Sequence, residues 1–360
     1  MHEIAQQFQQ RIRAATAGRT PLRFRGGGTK DWYGQSLAGE ILDTRACAGV
    51  VSYEPTELVI TVRCGTPLVE VEALLTDQRQ MLAFEPPRFG PGSTIGGVVA
   101  SALSGPRRAS AGAVRDFVLG AVMMDGQGEA LRFGGQVMKN VAGYDVSRLL
   151  AGSLGTLGLI LEVSLKVLPV PVREATLRFA MDEITALRRL NEWGGQPLPI
   201  SASCWYRDVL TLRLSGADAA VTAALRQLGG EQVDDAEATA FWTSLRDQTH
   251  EHFNGGTLWR LSVPPAASAL ILQGEQLIEW GGAQRWLRLG DGSPIGAEQA
   301  ELAAGIRRTT AAADGHATLY RGGDKDVGVF HPLQPALAKV HERLKQSFDP
   351  AGIFNPGRMY

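Results

Sequence analysis

The sequence predicts an α+β protein of two domains followed by a C-terminal helix and tail, and three observations carry that prediction. At 360 residues the chain exceeds what one hydrophobic core usually supports. Short strands and glycine-rich loops fill it as far as "LGLILEVSLKVLPVP", whose Pro169 and Pro171 close a mostly apolar strand. Beyond the prolines, strands alternate with helices in an antiparallel, ferredoxin-like manner. These shifts give boundaries at residues 1–170, 171–335 and 336–360.

The elements follow in order. Ile4 to Thr16 has helical spacing, and Leu22 to Arg25 is a short strand that delivers the loop "GGGTK". "GVVSYEP" and "LVITVRCG" alternate as strands, and "TPLVEVEALLTDQRQ" is an amphipathic helix with Thr66 as N-cap and Pro67 at its first position. Phe89 to Pro106 carries no charge but holds five glycines and two prolines, so it reads as buried loop and short helix, not a membrane span. "VLGAVMMDGQGEALRF" is a hairpin turning at "DGQG". In the second domain "REATLRFA", "VLTLRLSG", "LWRLSVPP", "QRWLRLG" and "HATLYRGG" are strands, with helices at Met181 to Trp193 and in "ADAAVTAALRQLGG". No internal repeat is visible in the sequence.

Composition narrows the function. Hydrophobic residues make up 44% and charged residues 20%, which describes a chain able to bury a core. Lys+Arg number 36 against 37 Asp+Glu, a balance that argues against nucleic-acid binding but allows a local anion site. Cys47, Cys64 and Cys204 are too few and too scattered for a disulfide framework, a zinc site or an iron–sulfur cluster. With a polar N-terminal stretch lacking the apolar core of a signal peptide, they point to the cytoplasm.

Two loops suit an anion. Three glycines between Arg25 and Thr29-Lys30 expose successive amides beside two cations, and "GSTIGG" from Gly92 to Gly97 repeats the pattern. An ordinary glycine turn after a strand is the alternative for the first. No G-x-G-x-x-G and no G-x-x-x-x-G-K-[ST] occurs, which argues against a Rossmann dinucleotide site and a P-loop. Two such loops fit a ligand with a pyrophosphate and a long body.

"FRGGGTKDWYG", "PGSTIGGVVASALSGPRR", "AGAVRDFVLG", "VMKNVAGYDVSRLLAGSLGTLGLILEVSLKV" and "FDPAGIFNPGRMY" fall in that order. Together they resemble the FAD-binding fold of the vanillyl-alcohol oxidase and p-cresol methylhydroxylase (PCMH) type. More narrowly, they resemble the FAD-binding E subunits of bacterial glycolate oxidase (glycolate dehydrogenase). The resemblance implies a two-part PCMH-type FAD-binding domain over 1–170, a substrate or cap-like domain over 171–335, and a tail that packs back on the FAD domain. It implies cofactor contacts at Arg25, Gly26, Gly27, Gly28 and Thr29, then at Gly92, Ser93, Thr94, Gly96, Gly97, Ser101, Ser104 and Gly105, and further at Gly112, Ile160 and Asn355. Thr29 stands where some relatives carry a flavin-linked histidine, so non-covalent FAD is expected.

The same resemblance implies a larger FAD subunit and an iron–sulfur subunit as partners, glycolate as substrate, quinone as final acceptor, and peripheral attachment to the inner membrane through the partners. Related 2-hydroxy-acid dehydrogenases hold a metal on clustered histidines; this chain's six (His2, His250, His252, His316, His331, His341) show no such cluster, and no metal is expected. Whether this chain oxidises glycolate itself, or serves as a non-catalytic flavin scaffold or electron relay, stays open, as does, at lower rank, an NADPH-dependent reductase. Arg321, in "LYRGG", is the candidate for a substrate carboxylate, and Trp259, Trp280 and Trp286 are candidates for a partner surface.

Overall fold

The protein is described here from a computed structural model covering residues 2–135, 146–290, 292 and 296–359. The chain forms two compact units, one of residues 1–103, 112–169 and 332–360, the other of 104–111 and 170–331. The tail helix Pro335–Phe348 thus belongs to the first unit, while a short segment after the second glycine loop belongs to the second.

In the first unit the helix His2–Gly18 leads to the strand Leu22–Arg25, which pairs in parallel with Glu40–Asp43. A five-stranded antiparallel sheet runs Val50–Glu54, Val59–Arg63, Leu159–Lys166, Val118–Met124, Ala130–Gly134. Its middle strand is buried from Leu159 through Leu165, Glu162 and Ser164 included, in keeping with its mostly apolar sequence. The helix Leu68–Asp77 starts at Pro67, but Thr66 does not cap it: its hydroxyl exchanges hydrogen bonds with the Gly49 backbone. The C-terminal tail adds a parallel bridge between Phe354 and Leu22. It is fastened by Lys345, whose ammonium donates to the Thr156 and Phe354 carbonyls and to Asp349, while Asp349 accepts from the Ile353 and Phe354 amides.

The second unit is one antiparallel sheet of eight strands. Its first half, Arg173–Ala180, Ile200–Tyr206, Val209–Gly216 and Glu231–Val233, with helices Glu183–Gly194 and Asp218–Leu228, is a complete ferredoxin-like βαββαβ unit. The second half, Thr257–Ser262, Glu275–Glu279, Gln284–Leu289 and His316–Arg321, repeats the strand order with one crossover helix, Ala297–Ala312. The expected ferredoxin-like domain is therefore a doubled one, joined by the pairing of Ile200–Tyr206 with Glu275–Glu279. Each half has its own apolar core, one around Leu187, Leu210 and Leu212, the other around Trp259, Leu287 and Ile306. Trp259 and Trp286 are buried in the sheet and so are not partner-surface residues. The Trp280 indole donates to the Gly105 carbonyl, with Arg108 stacked over its ring at 4.4 Å.

Candidate functional site

The two glycine loops of the first unit lie against each other. A Cβ on Gly27 would sit 1.6 Å from the Gly92 carbonyl oxygen, and one on Gly26 would sit 2.3 Å from Thr94 Oγ1. Gly28 adopts φ +72°, in the left-handed region that disfavours a side chain. The missing side chains are thus accounted for first by the close approach of one loop to the other. A second consequence is chemical. Among the described residues, the amides of Gly26, Gly27, Gly28 and Thr29 donate to no protein acceptor, whereas in the second loop Ile95 N bonds to Thr66 O and Gly96 N to Cys64 O. Unfilled successive amides form a concave donor array suited to an anion. Thr94 caps the following helix, Ile95–Ser101, by accepting from Gly97 N.

Gly26, Gly27, Gly28 and Thr29 line a cleft within the first unit made of two adjoining cavities that share Phe24, Arg25, Gly26, Gly97, Leu154 and Asn355 in their walls. One cavity adds Gly27 to Lys30, Thr94, Ser101 and Arg358; the other adds Cys64, Gly96, Gly155, Leu159 and Ile160. Asn355 fastens the junction. Its Oδ1 accepts from Phe24 N (2.9 Å), its Nδ2 donates to Leu154 O, and its own amide donates to Leu22 O (2.8 Å). Asn355 therefore holds the cleft wall together, since both ends of its side-chain amide are committed to backbone.

The cleft is cationic. Among the described residues, Arg25, Lys30 and Arg358 line it against a single carboxylate, Asp31. Arg25 Nε and Arg23 Nη2 both bond to Asp31 Oδ2, at 2.8 and 3.2 Å. Arg358 is held by the carbonyls of Gln35, Lys30 and Asp31, and burial pushes its pKa down to about 10. Burial likewise lowers Lys30 to about 8. Among the described residues its Nζ meets a neutral hydroxyl, Ser93 Oγ at 2.9 Å, and the Phe89 ring at 5.7 Å.

The structure therefore brings Arg25, Gly26, Gly27, Gly28, Thr29, Thr94, Gly96, Gly97, Ser101, Ile160 and Asn355 to one cleft. Gly92 and Ser93 line neither cavity but touch Gly27 and Lys30, which do. Gly112 lines neither cavity, and Ser104 and Gly105 belong to the other unit. Residues 136–145, which open the motif "VMKNVAGYDV", lie outside the described residues. Sequence reading passed over Arg358, Leu154, Gly155 and Cys64 as wall residues. Arg358 had a signal in a lone cation near the end of "FNPGRMY".

The second unit holds Arg321, the candidate for a substrate carboxylate. Arg321 donates to Gln248 Oε1 at 3.0 Å, and Arg285, fully buried, donates to the Ser268 and Ala267 carbonyls. Glu275 accepts from Tyr206, Arg207 and Arg288; burial raises its pKa, but these bonds outweigh it and hold the carboxyl down to about 2. His252 lies 3.6 Å from Glu275 with both ring nitrogens unbonded, and burial lowers its pKa to about 4. His250 accepts from the His252 amide through Nδ1. Among the described residues no three His, Cys, Asp or Glu side chains converge as a metal site would require.

The donor array, the cation excess and a two-part cavity meet the needs of a dinucleotide with a diphosphate at its middle. Bound FAD would bring hydride and electron chemistry, leaving the chain to bind, orient and tune it.

A family model described as an FAD binding domain matches residues 3–134. Glycolate oxidase subunit GlcE of Escherichia coli (strain K12) is 47% identical over 359 residues, 99% of this chain and 98% of that protein. Glycolate oxidase subunit GlcD of Bacillus subtilis (strain 168) is 32% identical over 171 residues, 47% of this chain and 36% of that protein. Among solved structures, alkyldihydroxyacetonephosphate synthase superposes with a TM-score of 0.67 at 15% identity, over 97% of this chain and 73% of that one, which shows a shared fold. The likeness along nearly the whole chain, and a cleft fit for the cofactor that the matched domain binds, place this protein in the GlcE family of FAD-binding glycolate oxidase subunits.

Proposed function

We propose that the chain is the FAD-binding subunit of a multi-subunit glycolate dehydrogenase, working with a larger FAD subunit and an iron–sulfur subunit that carries electrons on to quinone. The observation that carries this reading is the run of four unfilled amides, Gly26 to Thr29, opening on the cationic two-part cleft. The GlcE relative supports the subunit assignment, and a second glycolate oxidase subunit, GlcD, shares part of the sequence. The chain's cysteines lack the spacing of a cluster site, so an iron–sulfur centre would have to come from another chain. No described helix is long and apolar enough to cross a membrane, so attachment to the inner membrane would come through a partner.

Arg321 favours a second reading, in which this subunit relays electrons without binding glycolate, because its guanidinium is already engaged by Gln248. Anaerobic addition of glycolate separates the two. The co-purified complex should lose its oxidised-flavin absorbance, while the isolated chain loaded with FAD keeps it on the relay reading and loses it on the catalytic one. A complex whose flavin ignores glycolate would remove the dehydrogenase assignment.

A further inference from the structure

We propose that Lys30 is the counter-ion for the cofactor's diphosphate, and that its protonation sets how tightly FAD is held. The inference rests on the FAD reading above and adds a residue and a pH dependence to it. Among the described residues, Lys30 has no carboxylate partner: its contacts are Ser93 Oγ and the Phe89 ring. The other charged groups around it are already engaged. Arg23 and Arg25, from the strand that delivers the loop, share Asp31; Arg358, from the tail, is wrapped by carbonyls; and Arg88, next to Phe89, pairs with Glu72. Tyr33 on the same loop is buried, Cys64 is a buried thiol in the wall of the adjoining cavity, and Cys47 is a buried thiol that lines neither cavity.

A desolvated ammonium without a counter-charge is costly unless an anion arrives. Lys30 follows directly on the four unfilled amides and lines the same cavity, so an anion seated on those amides meets it. The amides cannot titrate, and Arg358, held near 10, loses its charge well above Lys30, so Lys30 is the member of the cluster whose charge changes nearest neutrality.

The sign follows. With burial lowering its pKa to about 8, Lys30 is charged below that pH and attracts the diphosphate; above it the free protein loses the charge and with it the attraction. Each unit by which bound diphosphate restores the pKa corresponds to a tenfold gain in affinity.

The test follows FAD fluorescence on dilution of the full-length, FAD-loaded chain, for wild type, Lys30→Met and Lys30→Arg, between about pH 7 and about pH 9.5. Wild type should weaken roughly tenfold across that range. Lys30→Met should be weaker by roughly the same factor at the lower pH and flat thereafter, while Lys30→Arg stays tight throughout. Lys30→Met within twofold of wild type, a pH dependence that survives in Lys30→Met, or a Lys30→Arg as weak as Lys30→Met would each overturn the proposal while leaving the FAD reading intact. A wild-type chain that takes up no FAD would overturn both.

Discussion

Gly27 shows how one missing side chain serves two purposes. A Cβ there would meet the Gly92 carbonyl oxygen at 1.6 Å, so any other residue must push the two glycine loops apart. The same displacement would turn the Gly26 to Thr29 amides away from a shared focus. Gly27→Ala should therefore cost about 1–3 kcal/mol of stability through overpacking, and Gly27→Val more. Both should purify with little or no flavin. Thermal melts and flavin absorbance check this together, and full FAD occupancy in Gly27→Val would show that the loops do not form the site. Asn355 makes the complementary point. It sits at φ +41°, in a conformation that favours glycine and asparagine, and fastens two segments far apart in sequence. The sequence marked it as a cofactor contact by resemblance; the structure gives it the role of joining Phe24 to Leu154. A side chain's hydrogen-bond partners are not written in its local sequence, so such a role is visible only after folding.

Among the elements, the legible ones carry strong local signals. The strands Leu22–Arg25, Arg173–Ala180 and Val209–Gly216 and the helix Asp218–Leu228 lie where periodicity puts them. The strand Ile200–Tyr206 escaped because "ISASCWY" opens with small residues, and its serines are buried along with its apolar residues. The strand Glu275–Glu279 and the helices Asp235–Arg246 and Ala297–Ala312 were also passed over; the last is short of large apolar residues, with Ala303 and Ile306 on its buried side.

The pairing of Ile200–Tyr206 with Glu275–Glu279 joins the two ferredoxin-like halves through a short register, Cys204 with Glu279 to Tyr206 with Leu277. Glu275, at the end of that seam, stitches it with bonds to Tyr206, Arg207 and Arg288. Its folded-state pKa, about 2, lies below the ordinary value of 4.5, so its contribution is fully present above that value and lost as pH falls through the window between them. Glu275→Gln should melt at a lower temperature than wild type at neutral pH, with the gap closing toward about pH 3. Melting curves that stay parallel down to that pH would show that the seam does not depend on this carboxylate.

At the scale of the molecule, the duplicated strand order of the second unit was invisible in the sequence, because the two halves share topology without shared residues and one crossover helix is replaced by a loop. The first unit was the more legible one. Its glycine loops had to keep the residues that let one backbone touch another and leave amides unfilled, so their chemistry shows in the residues themselves. The position of Ser104 and Gly105 could not be read in that way, since the chain passes from one unit to the other beside them. The central claim concerns the cleft in the first unit, and the flavin content of the purified chain tests it most directly. The account predicts FAD in equimolar amount, released as yellow supernatant on acid precipitation because Thr29 offers no nucleophile to link it. A chain without flavin that takes up none when FAD is supplied, or a yellow pellet that keeps its colour, would contradict it.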